Sequence, residues 1–170
     1  MKVAFFDRDG TIIEDYPDEK WTGITEPVFL RGAIDTLLQV RQRGYEIIII
    51  TNQYLINEGF ITWEQYKEIQ VKMVNELEKQ HVDILAVYYC PHGRNEGCGC
   101  CKPETGMMLQ ALDQYPSIDL KRSFVIGDSV VDMELARRMG MKGFGINVTI
   151  PKSHPNIKQV SEVSELLRYI

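Results

Sequence analysis

Short apolar runs alternate with amphipathic stretches along most of this chain, and the strongest apolar runs end at polar residues. Val3-Ala4-Phe5-Phe6 ends at Asp7, and its all-apolar character predicts a strand buried on both faces of a parallel sheet. Residues 32–43 place Ile34, Leu37, Leu38 and Arg41 at helical spacing, with Gly44 as the stop. Residues 45–50 carry the strongest strand signal and run into Thr51-Asn52. Thr62 is placed to cap a helix reaching about Gln80, and Gln65 three residues on can complete a capping box. A third strand is expected over 84–89, entering Cys90. Thr105 opens a helix over 105–114, and residues 123–126 form a fourth strand that stops at Gly127-Asp128. Residues 130–139 read as a helix ended by Gly140, and 143–146 as a fifth strand. The tail from Pro151 is polar until a last short helix over 160–167.

Such alternation predicts an α/β fold: a Rossmann-like, doubly wound parallel sheet between two helical layers, in three αβα layers without a separate cap domain. No repeat or linker divides the chain, so one domain over 1–170 is expected. Ligands of such sheets bind beyond the carboxyl ends of the strands. Asp7, Thr51, Cys90 and Asp128 all fall at those ends, which makes that edge the candidate site. Residues 14–31 form a long irregular stretch expected to overhang it.

Composition narrows the function classes. The 170 residues are 44% hydrophobic and 25% charged, ordinary globular values, with a net charge of -5. No basic stripe suggests nucleic acid or a membrane surface, and no apolar run reaches membrane length. The N-terminus enters a strand that supplies chemistry, so a cleaved signal is not expected. Four cysteines gathered within twelve residues fit a reducing cytoplasm better than a disulfide framework.

Asp7 and Asp9 lie two apart at a strand end, so one carboxylate can attack while the other handles protons. Transfer of a phosphoryl group to an aspartate splits hydrolysis into two steps, and a cation must help the anionic nucleophile approach an anionic substrate. Mg²⁺ suits oxygen ligands, with Asp7 and Asp128 the natural carboxylates. Gly10 and Thr11 suit a tight turn with backbone N–H groups facing phosphate. Thr51 and Asn52 offer neutral donors, and Lys102 a positive charge for the transition state. A lone Asp-Gly-Thr would be an ordinary turn; four polar groups at four matching strand ends are not. Cys90-Pro91-His92 and Cys98-Gly99-Cys100-Cys101 can close around one tetrahedral metal with sulfur and nitrogen ligands, which points to zinc. Trp21 and Trp63 read as packing residues, His81 and His154 as surface residues, and Met133, Met139 and Met141 as gap fillers.

Asp-x-Asp-Gly-Thr at 7–11, the strand into Thr51-Asn52, Lys102 and Gly-Asp-x-x-x-Asp at 127–132 resemble, in that order, the haloacid dehalogenase superfamily of phosphohydrolases. With Thr51-Asn52-Gln53 and the Cys-Pro-His…Cys-x-Cys-x-Lys-Pro pattern, the chain looks like its capless zinc-loop subgroup, which contains heptose bisphosphate and histidinol-phosphate phosphatases. The resemblance implies a nucleophile at Asp7 and a general acid/base at Asp9, whose backbone carbonyl also binds Mg²⁺. It further implies Asp128 as the remaining Mg²⁺ ligand, phosphate contacts from Thr51, Asn52 and Lys102, and an orienting role for Asp132. Structural zinc would sit on Cys90, His92, Cys98 and Cys100, with Cys101 a spare thiol or an exchange partner for Cys100.

The match departs from the heptose enzymes where they hold the distal part of an anionic substrate. Their arginine before the motif lysine is Cys101 here, and their lysine after the motif-four aspartate is Ser129. Tyr54-Leu55 and residues 16–21 also differ, and the five-residue spacer from His92 to Cys98 is closer to the histidinol-phosphate type. The expectation is a monomeric phosphatase of a small soluble ester. A sugar phosphate such as D-glycero-D-manno-heptose 1,7-bisphosphate comes first, then histidinol phosphate or a polynucleotide-end phosphatase module. Arg94 or Lys20 is the candidate for a distal anion.

Overall fold

In the computed structural model, which describes residues 1–149 and 155–170, six strands make one parallel sheet. They are β1 (Val3–Phe6), β2 (Glu46–Asn52), β3 (Ala86–Cys90), β4 (Phe124–Gly127), β5 (Lys142–Ile146) and β6 (Ile157–Val160), in the spatial order β3-β2-β1-β4-β5-β6. The chain builds outward from β1 to β3, then returns to the other side of β1 to lay down β4. The crevice between β1 and β4 is therefore the topological switch point.

The apolar runs are buried on both faces because period-two alternation sends their side chains into two separate cores. Ala4, Phe6, Ile47, Ile49, Phe124 and Ile126 face one core, completed by α2 (Ala33–Gln42), α3 (Trp63–Lys79) and a 3₁₀ helix at Val163–Arg168. Val3, Phe5, Ile48, Ile50 and Val125 face the other, closed by α4 (Gly106–Gln114) and α5 (Val130–Arg138). Each such side chain contributes roughly 1.5–3 kcal/mol on leaving water. The three αβα layers follow, and the capping box of α3 forms as expected, Gln65 N–H to Thr62 Oγ1 at 3.2 Å and Thr62 N–H to Gln65 Oε1 at 2.9 Å.

Two expectations need correction. The chain before the last helix is not merely polar: Ile157–Val160 adds β6 in parallel to β5. Its two middle side chains, Lys158 and Gln159, are exposed, so an edge strand held mainly by backbone pairing gave no apolar run. The stretch 14–31 contains a short helix, α1 (Asp18–Trp21), whose Trp21 is buried against Tyr16 with ring centroids 5.3 Å apart. Trp21 and Trp63 pack, and His81 is exposed. Met133 and Met141 are buried; Met139 lies at the edge of the core. Pro151 and His154 lie outside the described residues.

Candidate active site and metal centre

Asp7 follows β1 directly, and its N–H donates to the Ile126 carbonyl of β4 at 2.9 Å, which pins it at the switch point. Lys102, only 4% exposed, reaches into the same crevice. Its ammonium donates to Asp7 Oδ1 at 2.7 Å, Asp132 Oδ1 at 2.7 Å and the Ile50 carbonyl at 3.0 Å, one protein acceptor for each N–H. Asp7, Asp128 and Asp132 bring carboxylate oxygens within 4.8 Å of one another. Three carboxylates gathered around a single ammonium are an acidic, hard-oxygen donor set that fits a divalent cation such as Mg²⁺.

The electrostatics carry the same imbalance. Burial pushes the Asp7 carboxyl well up, Lys102 opposes it, and the charges of Asp132 and Asp9 push it further. Burial also works against the Lys102 charge, yet Asp132 and Asp7 hold it above its ordinary range. Asp128 is raised to about 6, first by burial and then by Asp132 and Asp15. The Asp128 carboxylate can approach so closely only because residue 10 is glycine. A Cβ there would lie 1.9 Å from Asp128 Oδ2, and the backbone has φ +74°. Asp132 is buried at the start of α5, where Ser129 caps the helix and donates its N–H to Asp132 Oδ2 at 3.2 Å.

Asp9 lines the cavity, but Arg8 beside it does not. Arg8 donates Nε to Asp9 Oδ1 at 2.9 Å and Nη2 to Asp9 Oδ2 at 3.0 Å, and Nη2 also reaches Gln53 Oε1 at 3.1 Å. Gln53, fully buried, donates Nε2 to Asp9 Oδ2 at 2.7 Å and to Thr51 Oγ1 at 2.8 Å. With its oxygen accepting from Gln53, the Thr51 hydroxyl proton is free to point into the cavity. The Asn52 side chain brackets the Lys102 backbone, accepting its N–H at 2.8 Å and donating to its carbonyl at 3.1 Å, which leaves one amide N–H. The N–H groups of Gly10 and Thr11 do not face the cavity as expected. They donate to the Ile13 and Arg8 carbonyls at 2.8 and 3.4 Å, closing the turn, and neither residue lines the cavity.

The second cluster lies at the end of β3. Cys90 Sγ, His92 Nδ1, Cys98 Sγ and Cys100 Sγ all lie within 4.8 Å of one another. Cys90 Sγ is 3.5 Å from Cys98 Sγ and 2.9 Å from Cys100 Sγ, and His92 Nδ1 is 3.2 Å from Cys100 Sγ. No two of these sulfurs are bonded, and all four cysteines are free. Three sulfurs and an imidazole nitrogen gathered this closely at the end of one strand are a donor set that could hold zinc. Cys98 is lowered to about 7: burial opposes this, but the Cys101 and Cys100 N–H groups outweigh it. Cys101 stands outside this group and lines the cavity.

The cavity holds about 550 Å³ and is walled by Asp15, Tyr54, Leu55, Arg94, Cys101, Ser129 and Val131 above the residues already named. Of the two cations expected near a distal anion, Arg94 lines the cavity and Lys20 does not. Arg94 lies 4.3 Å over the Tyr54 ring and is paired with Asp18 at 2.9 Å and with Glu58. Arg8, Asp15 and the Gln53 side chain are site residues to which the sequence pattern alone assigned no role. A charged residue between two strand-end aspartates was the one local signal that could have drawn attention to Arg8.

A parallel sheet with this carboxylate–lysine crevice at its switch point defines a phosphatase of the haloacid dehalogenase superfamily. A family model described as "Polynucleotide kinase 3 phosphatase" matches residues 2–155, and the chain belongs to that family. It is similar to "Probable D-glycero-D-manno-heptose-1,7-bisphosphate 7-phosphatase" of Thermoplasma volcanium, 40% identical over 141 residues, 82% of this chain and 94% of the relative. It is also similar to D-glycero-beta-D-manno-heptose-1,7-bisphosphate 7-phosphatase of Haemophilus influenzae, 36% identical over 143 residues, 78% of this chain and 74% of that protein. The fold matches D,D-heptose 1,7-bisphosphate phosphatase from B. bronchiseptica, solved with magnesium and phosphate. That match has a TM-score of 0.85 at 22% identity and covers all of both chains.

Proposed function

We propose that this phosphatase is a Mg²⁺-dependent hydrolase of a small phosphomonoester that works through an aspartyl-phosphate on Asp7, with a sugar phosphate as substrate class. The observation that carries the reading is the crevice where Asp7 and Asp132 both pair with Lys102 and Asp128 brings a third carboxylate beside them. Asp7, Asp128 and the Asp9 backbone carbonyl would hold Mg²⁺, which when bound screens the anionic substrate from the anionic nucleophile. A carboxylate oxygen of Asp7 then attacks phosphorus while Asp9 gives its proton to the departing alcohol oxygen. In the second half, Asp9 takes a proton from water as the water attacks phosphorus, and inorganic phosphate leaves Asp7 free. Lys102, Thr51 and Asn52 hold the phosphoryl oxygens.

In this reading residues 1–170 act as one phosphatase domain. A zinc-binding loop at 90–101, held by Cys90, His92, Cys98 and Cys100, forms one wall of the cavity. The four free cysteines suit a reducing cytoplasm, and among the described residues no helix is long and apolar enough to cross a membrane. A monomer is proposed. A substrate that is not nucleic acid fits a cavity rim whose cation, Arg94, is already paired with two carboxylates.

A panel of phosphate esters tests the reading: heptose 1,7-bisphosphate, sugar monophosphates, histidinol phosphate and a 3′-phosphorylated oligonucleotide, each with and without Mg²⁺. Mg²⁺-dependent release of phosphate from sugar phosphates, absent in Asp7→Asn, is expected. Turnover confined to the oligonucleotide, or retained in Asp7→Asn, would refute it.

A further inference from the structure

Arg8 is an arginine that cannot reach the substrate. It is 1% exposed, sits 5.8 Å from the Trp21 ring and 5.3 Å from the Tyr66 ring, and takes no part in the cavity wall. Burying a guanidinium in this way is costly unless its partners are fixed. Its partners are Asp9, met by two prongs, and Gln53, with Gln70 Oε1 further off at 3.5 Å. Gln53 has no freedom of its own. Its oxygen accepts from Arg8, its two N–H bonds go to Asp9 and Thr51, and its backbone N–H donates to the Cys90 carbonyl at 2.7 Å. A carboxylate accepts along about four lone-pair directions. Arg8 and Gln53 occupy three of those of Asp9, one on Oδ1 and two on Oδ2, so the open one is on Oδ1.

We infer that Arg8 and Gln53 are positioning residues that lock Asp9 so that Oδ1 alone exchanges a proton with the leaving group and the attacking water. The inference rests on the reading of Asp9 as general acid/base. The proton moves from Asp9 Oδ1 to the ester oxygen as its bond to phosphorus breaks, and returns to Oδ1 from water in the second half. A carboxyl free to turn about its side-chain bonds would meet that oxygen only part of the time, which is the loss that fixed orientation avoids. Arg8 and Gln53 touch neither substrate nor phosphate in this scheme.

Leaving-group dependence separates this role from a general structural one. An alkoxide needs a proton to leave and a p-nitrophenolate does not, and kcat/KM reports only the steps through the first irreversible one. Gln53→Leu, which keeps the bulk and removes the amide, should lower kcat/KM for an alkyl phosphate about 10²-fold more than for p-nitrophenyl phosphate, the loss shared by both esters coming from the released Thr51 hydroxyl. Asp9→Asn should show the same contrast. Adding Gln53→Leu to Asp9→Asn should widen that contrast little, because residues acting through one group are not additive. Arg8→Met, compared at equal folded fraction by circular dichroism, should repeat the Gln53→Leu pattern. Equal losses on both esters, or a contrast widened in full again in the double variant, would overturn the proposal. If Asp9→Asn itself lacks the contrast, the acid/base reading fails, and the proposal falls with it.

Discussion

Replacing Lys102 by methionine keeps most of its volume and removes the cation at the centre of the crevice. Asp7 and Asp132, each 2.7 Å from Lys102 Nζ, would then face each other and Asp128 with no counter-charge. Breaking a buried ion pair from one side typically costs about 3–5 kcal/mol. For a chain of this size that corresponds to a thermal midpoint lower by roughly 6–20 °C, at about 2–4 °C per kcal/mol. The carboxylates left behind can escape by taking up protons, since Asp7 and Asp128 already have folded-state pKa values above their unfolded ones and lose the Lys102 charge that holds both down. Such a group is accommodated at low pH and opposes folding as pH rises. Between its folded pKa in the parent and its higher one in the variant, each of the two adds up to about 1.4 kcal/mol to the deficit for every pH unit climbed. The deficit of Lys102→Met relative to the parent should therefore be small at pH 5 and large at pH 8. Mg²⁺ should recover part of it at pH 8. Melting curves of both proteins at the two pH values, with and without Mg²⁺, make the comparison. A deficit that is the same at both pH values, or below about 2 °C at pH 8, would refute the account of the crevice.

Three further outcomes are expected. Purified protein should carry one zinc per chain, and chelation or Cys98→Ser should lower both the melting point and kcat. The cysteine loop leads into Lys102, and the Cys90 carbonyl holds Gln53; elemental analysis and melting curves check this. Asp128, raised to about 6 from an ordinary carboxylate value, makes the Mg²⁺-free protein less stable as pH climbs from about 4 to 6. Asp128→Asn should therefore gain stability over the parent across that window, and titration calorimetry should find parent Mg²⁺ affinity rising through pH 6. A bisphosphate should be preferred over the matching monophosphate by less than about a hundredfold in kcat/KM, because neutral Cys101 and Ser129 forgo charge-assisted contacts of about 1.5–3 kcal/mol each. A larger preference would show that Arg94 leaves Asp18 and Glu58 to meet the distal group.

The sheet was legible because Val3–Phe6, 45–50 and 123–126 are apolar runs that end at polar residues, and burial on both faces leaves no other reading. Asp7, Thr51 and Asp128 were legible for the same reason, since each follows or closes such a run. β6 was not, because an edge strand with two exposed side chains carries no periodic signal. The Arg8–Asp9–Gln53 lock was not legible either. Its members lie 45 positions apart, and only the pairing of β1 with β2 brings them together. The N–H groups of Gly10 and Thr11 went elsewhere because the turn needed them to close on Ile13 and Arg8.

Ser129 serves the start of a helix with its side chain and the crevice with its backbone. As the first residue before α5 it accepts the Val131 N–H on its hydroxyl at 3.4 Å, while its own N–H serves Asp132. Only the hydroxyl half of that arrangement depends on the side chain. A Ser129→Lys change would forfeit about 1 kcal/mol of helix initiation, yet leave intact the backbone link through which Asp132 is steadied against Lys102. Against a total stability of about 5–15 kcal/mol, that is a tolerable step. The helix start and the crevice are thus served by different halves of one residue, so the side chain at this position can be exchanged at little cost to the hydrolytic core.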